Sequence, residues 1–403
     1  MTHRGISIKI KKATAAAVLP LLALFLCSCV FRIPYGTDTE TGTEAYESKG
    51  YEKTDINDDN AEFSPRIPDG SLPYYNVISR YAWSQLDKRQ KALYYDVLEA
   101  AISYKPSVEI PEDDAAYIFE CVFFDTPELF YLNETPDYAD GQLIFRYAFF
   151  RDEAEAVSGE LDSAYKEFLS ELNGNMTEYE KLKFLYEYLI NKTKYAFEAD
   201  EDYEKNVFNR AVYRASCAAG PLLDGKAICI GYARATQYLC LRLGIRTFTV
   251  KGEGEGGSHY YSLVLLDDGY YYVDTTWGDP VGKDRSKDYL TYYYFCITTE
   301  ELLRSHKILT NVPLPVCTAE KYNYYVYNGL TADSAEEVAE RALAAYRNGD
   351  GEIRLKVSYD KLDSIYEKTS DAIQKVFSEN EEYGVSYSVT KSKNPSLVSV
   401  IFK

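Results

Sequence analysis

Histidine is scarce. The 403-residue chain has three, and His3 precedes a segment that reads as an export signal, which leaves His259 and His306 for the body. No CxxC pair stands near either one, so the ligand spacing of a zinc site is missing, and no metal or other cofactor is expected. The cysteines, at 27, 29, 121, 217, 229, 240, 296 and 317, form no regular framework. A body of this size needs no staples, although one disulfide stays open. The glycine run Gly252–Gly257 lacks the Gly-Lys-Ser/Thr ending of a phosphate cradle. Asp55-Ile-Asn57-Asp-Asp59 begins like a calcium loop, but Asn60 stands where glycine is needed and Arg66 where glutamate is needed. Basic residues are outnumbered 44 to 63, for a net charge of −19, or −23 without the four basic residues before Cys29. Such a surface repels phosphate backbones and excludes nucleic acid as a partner. No apolar run reaches the roughly 18 residues a spanning helix needs.

What is there supports a folded body. Apolar residues make up 46% of the chain and charged residues 27%, enough to bury a core across two or three domains. Tyrosine is abundant, with 40 residues. It suits half-wet grooves for peptide or glycan and also fills sheets, so alone it decides nothing. At the start, a basic stretch from Arg4 to Lys12 leads into an apolar run from Ala13 to Leu26, the grammar of a signal peptide over residues 1–28. Leu26-Cys27-Ser28-Cys29 resembles a bacterial lipobox, which implies that Cys29 carries a lipid on the outer face of the membrane. Residues 29–73 are acidic and rich in Thr, Gly, Ser and Asp, and are expected to be a flexible tether.

The body divides by pattern into an N-terminal mainly helical region (74–172), a central core (173–317) and a small C-terminal α+β module (318–403). Helical periodicity covers Tyr74–Lys105, Asp113–Phe123, Arg151–Leu172 and Glu178–Tyr195. Strands are expected after Pro127, up to Leu132, and over Gln142–Phe150. In the centre, a helix opens near Cys229 and stops at Gly244. Ile245–Lys251 alternates as a strand, and Gly252–Gly257 reads as a mobile lip. A strand from His259 to Leu266, an Asp267-Asp268-Gly269 turn and a strand Tyr270–Thr275 follow. A three-residue and a two-residue turn put His259 and Asp274 on opposite or equal faces, and the pattern leaves both open. His306 falls in a helical stretch and reads as a structural residue closing the core. The last module reads as strands Tyr322–Tyr327, Glu352–Val357, Val385–Val389 and Leu397–Phe402, with helices Ser334–Tyr346 and Tyr359–Phe377.

One constellation carries chemistry. A thiol has an ordinary pKa of about 8.5, and a helix N-terminus with a neighbouring imidazolium lowers it. Cys229 lies in a first helical turn. His259 follows after 30 residues and Asp274 after 15 more, in the order nucleophile, base and orienting carboxylate. Each alone has a plainer reading: a small core thiol (as for Cys240 on the same face), a structural histidine, a turn-capping aspartate. Their joint placement on helix, strand and strand argues for the triad.

The local motifs extend this. Gly225-Lys-Ala-Ile-Cys229-Ile-Gly231-Tyr232-Ala233, Gly257-Ser-His259 and Tyr272-Val-Asp274-Thr-Thr-Trp277-Gly-Asp279-Pro280 resemble the three ordered motifs of bacterial transglutaminase-like proteins. The wider likeness spans about 175–310, and Asp125-Thr-Pro-Glu-Leu-Phe130 is similar to an upstream element of exported members. The resemblance implies a papain-like α+β core with a nucleophile helix packed on antiparallel strands. It also implies acyl transfer or hydrolysis on protein or peptide amides, including cell-wall peptides, through a thioester on Cys229. His259 would move the proton and Asp274 would hold the ring. The backbone N–H of Cys229 supplies one oxyanion donor, and Tyr195 is a candidate second. The family's histidine strand continues with an aromatic residue and an asparagine, whereas here Tyr260-Tyr261-Ser262 follows, with Ser262 as a substitute donor. The alternative is a non-catalytic module that keeps the fold as a tyrosine-lined binding groove.

Overall fold

The computed structural model describes residues 31–32, 80–254, 257–280 and 290–403. The signal segment, Cys29 and nearly all of the tether lie outside the described residues. Among these, no helix is long and apolar enough to cross a membrane.

The architecture is α+β with antiparallel sheets. After a two-residue strand Phe31–Arg32 (β1), helices α1 (Tyr81–Gln85) and α2 (Lys88–Ile102) replace the single helix expected over 74–105. Asp87 makes the break: it accepts from the Gln90 N–H while the Gln90 side chain accepts from the Asp87 N–H, a capping box that starts a new helix. β2 (Ser107–Glu109) and α3 (Glu112–Asp125) follow, with three carboxylates in the first turn of α3 suiting the positive end of its dipole. At the other end, buried Asp125 accepts the N–H groups of Ala82 and Trp83 at 2.9 and 2.8 Å, fastening α1 to α3.

No strand forms after Pro127. The segment turns, and only Leu132 bridges to Tyr147. β3 (Asp137–Ala139) and β4 (Gln142–Ile144) form a short hairpin, so the strand expected over Gln142–Phe150 ends early, where Phe145 and Phe149 turn into the core. α4 (Arg151–Glu171) and α5 (Glu178–Lys192) are long and amphipathic. α5 stops short of Tyr195 because Thr193 turns extended and Lys194–Tyr195 (β5) pairs in parallel with Lys226–Ala227 (β6). Between them lie α6 (Phe197–Glu204), α7 (Arg210–Ala215) and a π-helical turn closed by Gly225 at φ 64°.

α8 (Cys229–Arg242) packs on the central sheet of β7 (Thr247–Gly254), β8 (Gly257–Leu266), β9 (Gly269–Val273), β10 (Phe295–Ile297) and β11 (His306–Ile308). The sheet order is β10-β9-β8-β7-β11, all antiparallel, and α9 (Thr299–Leu303) bridges β10 and β11. Two expectations are corrected here. Gly252 and Gly254, expected in a lip, are strand residues: β7 continues to Gly254 and pairs it with Gly257, while residues 255–256 lie outside the described residues. His306 sits in an edge strand rather than a helix, because residues 306–308 gain main-chain partners from β7.

The C-terminal residues form a three-stranded sheet of β12 (Glu352–Lys356), β13 (Tyr387–Ser392) and β14 (Leu397–Phe402), ordered β12-β14-β13 and covered by α11 (Ala335–Arg347) and α12 (Leu362–Glu379). Their apolar cluster, including Val338, Leu355, Ile373 and Val400, is separate from the one that runs from Tyr81 to Cys317. The strand expected at Tyr322–Tyr327 is a helical turn, α10 (Tyr324–Tyr327), since the Asn323 side chain accepts the Tyr325 N–H and nucleates it.

Gly231 fixes where α8 begins. A Cβ there would strike the Ala215 carbonyl that already receives the Ile228 N–H at 3.1 Å. Gly231→Ala should lower stability by about 1–3 kcal/mol in urea unfolding, with a loss below about 0.3 kcal/mol contradicting this close approach.

Candidate active site

Cys229 opens α8. The preceding Ile228 offers no side-chain cap, so the first backbone N–H groups of the helix carry their partial positive charge toward the thiol. The helix is tied to the neighbouring loop at two points. Thr236 and Thr275 share a hydroxyl hydrogen bond at 2.8 Å, and the Tyr232 hydroxyl donates to Asp279 at 2.8 Å. Buried Arg234 donates to the Phe123 and Thr126 carbonyls at 3.0 and 3.2 Å, anchoring α8 to the end of α3.

The hairpin register brings His259 and Asp274 to one face. Asp267 and Asp268 form the two-residue loop, Gly269 pairs with Leu266, and Ser262 pairs with Val273. That differs from both turns considered from sequence. It puts Asp274, directly after β9, on the same face as His259 and Tyr261. Neighbouring positions on this face are glycines for a steric reason. Gly252 lies opposite His259, and a Cβ on it would strike the Lys307 carbonyl and the Tyr261 ring. A Cβ on Gly254 would come within 2.7 Å of the Trp277 indole. The empty volume lets Trp277 lie over the site, its ring centroid 5.2 Å from that of His259.

Asp274 is the hub. Its Oδ1 accepts the N–H groups of Thr276 and Trp277 at 2.9 and 3.1 Å. Its Oδ2 faces the Nε2 of His259 at 2.7 Å and the Nε2 of His306 at 3.2 Å. With Nε2 engaged, His259 turns its Nδ1 edge toward Cys229, whose thiol acts on the ring electrostatically. Burial by itself pulls the His259 imidazolium down, but the Asp274 carboxylate and the facing thiol outweigh it and raise the ring to about 10. Burial likewise penalises ionised Asp274, yet His259 and then His306 hold its carboxyl well below the usual range.

Cys229, His259 and Asp274 are 3%, 5% and 1% exposed, so the three side chains are closed off from solvent by their neighbours. Tyr195 is one cover. Parallel pairing of β5 with β6 sets it beside Cys229 and Asp200. Burial, then the neighbouring thiol and carboxylate, push that phenol up, keeping it a donor. Ser262 does not serve the site. It alternates to the other face of β8, where its hydroxyl has no hydrogen-bond partner among the described residues. All six described cysteines are free, and burial pushes Cys240 and Cys317 up to about 12. Sequence reasoning missed His306 and the covering role of Trp277. The signal available for His306 was the scarcity of histidine itself.

His259, Asp274 and His306 present ligand atoms within 4.8 Å of one another, a set that could hold a divalent cation. Their 2.7 and 3.2 Å contacts are hydrogen-bond lengths, whereas ligands on tetrahedral zinc at about 2.0–2.1 Å stand roughly 3.3 Å apart. The arrangement fits shared protons better than an ion.

No family model matches the chain, and no curated protein matches it. Among the matching solved structures, a crystal structure of a TGase aligns at 20% identity and a TM-score of 0.28, covering 36% of this chain and 43% of that one. The chain thus spans less than half of that TGase chain.

Because His259 is raised from 6.5 to about 10, its stabilising contribution is complete below 6.5 and is lost as pH climbs toward 10. The melting temperature should fall across that window, and His259→Gln should flatten the fall. Parallel curves for the two proteins would contradict the charged pair.

Proposed function

We propose that this protein is a transglutaminase-like cysteine enzyme that transfers or hydrolyses acyl groups from protein or peptide carboxamides. One observation carries the reading: His259 is clamped on Asp274 at 2.7 Å while its free edge meets Cys229 at an uncapped helix start. That combination creates a nucleophile and its proton carrier together.

In the reaction, the Cys229 sulfur forms a bond to the substrate carbonyl carbon. The amide C–N bond breaks, and His259 gives its proton to the departing ammonia or amine. His259 then takes a proton from an incoming amine or water as the thioester is released. The tetrahedral oxyanion is served by the Cys229 N–H and by the hydroxyl of Tyr195, which lies beside Cys229. Whether amine or water wins depends on water exclusion by Trp277 and Tyr195. The export signal and the lipobox-like Cys29 place this chemistry, in our reading, at the outer face of a bacterial membrane, where protein and cell-wall peptides are the accessible substrates.

Incubation with a p-nitrophenyl ester of a short peptide should leave one acyl group on Cys229, seen by intact mass and peptide mapping. His259→Ala should slow its formation at least about 100-fold, and Tyr195→Phe by roughly 10²-fold. Hydroxylamine with a glutamine peptide then separates transfer, which gives a hydroxamate and ammonia, from hydrolysis, which gives the glutamate peptide and ammonia. Acylation equal in wild type and His259→Ala would leave a binding module, not an enzyme.

A further inference from the structure

The Asp274 carboxylate serves two imidazoles where the acyl-transfer reading needs one. His306 comes from β11, the edge strand, and its Nε2 stands 3.2 Å from the same Oδ2 that holds His259. The other carboxylate oxygen is filled by two backbone N–H groups, so the two rings share one acceptor. On its far side, His306 Nδ1 meets the Ser305 hydroxyl at 2.9 Å. With that hydroxyl donating, His306 carries its proton on Nε2 and donates to Asp274.

The ring is boxed by aromatic side chains. Trp277, Tyr261 and Tyr294 lie 4.2, 5.2 and 5.3 Å away between centroids, and the His306 side chain is fully buried. The charged groups facing it are Asp274 and, 5.3 Å away between ring centroids, His259. Tyr186 adds a phenol near Asp274, and on the adjoining strands the Lys307–Glu253 pair sits toward solvent.

We propose that His306 is a positioning residue that tunes the acid–base range of the catalytic pair through Asp274. Resting on the acyl-transfer reading, the inference concerns how tightly the carboxylate holds His259. An N–H donated to Oδ2 draws electron density from the oxygen and occupies one of its lone pairs. The His259 imidazolium is therefore held less strongly than by an unshared carboxylate. The second ring thus limits how strongly the carboxylate holds the first, so the base can release its proton during turnover.

The test is carboxymethylation of Cys229 by iodoacetate in the full chain, followed from about pH 5 to about pH 11.5. The reagent's carboxylate favours the thiolate–imidazolium pair, so the rate should rise and then fall as His259 loses its proton. His306→Phe keeps a ring but no donor, and should move the falling limb upward by about half a unit or more. His306→Gln can return an N–H to Asp274 and should restore the limb toward wild type. Ser305→Ala, which frees the His306 tautomer, should shift it in the same direction as His306→Phe but less. A limb left in place by His306→Phe and Ser305→Ala overturns the inference, as do equal shifts in the Phe and Gln variants, which a purely structural role would give. A wild-type profile with no falling limb would instead remove the acyl-transfer reading itself, and this inference with it.

Discussion

The ionised carboxylate of Asp274, 1% exposed, is the constraint around which the site is arranged. A charge taken out of water costs several kcal/mol unless its lone pairs are met. Here two backbone N–H groups and two imidazoles meet them. The groups that satisfy the charge come from the loop after β9, from β8 and from β11. Burying Asp274 therefore requires these segments to be in register at once.

Much of the surrounding structure follows from that requirement. Gly252 and Gly254 leave out side chains so that Tyr261 and Trp277 can close over the rings. Gly278 is bare for a similar reason, because a Cβ would strike the Tyr186 hydroxyl, itself donating to the Thr291 carbonyl at 2.7 Å. The hydroxyl pair Thr236–Thr275 joins α8 to the residue after Asp274, so the thiol-bearing helix is indexed to the carboxylate rather than only to the sheet. Farther out, Arg234 and Asp125 join α8, α3 and α1 through buried hydrogen bonds. That gives the upstream Asp125–Phe130 segment a structural role instead of a chemical one.

The parts legible in the sequence were those written in local pattern. The start of α8 at Cys229, its end before Gly244 and the three central strands follow from periodicity and turn residues. Cys229, His259 and Asp274 were named from residue type and order. What stayed hidden depends on partners distant in the chain. Residues 306–308 are too few to show strand alternation, and only pairing with β7 makes them a strand. The glycine run has the composition of a loop, yet Gly252 and Gly254 serve close packing inside a hairpin. The turn register was ambiguous because Asp267, Asp268 and Gly269 suit several turns. The choice falls to burying His259, Tyr261 and Asp274 on one face. Tyr324–Tyr327 reads as a strand by propensity, and the Asn323 cap overrides it.

The central claim, that Asp274 makes Cys229 reactive through His259, is tested most directly by Asp274→Asn. The variant keeps the shape of the side chain while removing its charge. Cys229 alkylation at neutral pH should slow by about 100-fold or more, because His259 loses the partner that fixes its tautomer and its charge. A thiol that reacts as fast in Asp274→Asn as in wild type would contradict the account.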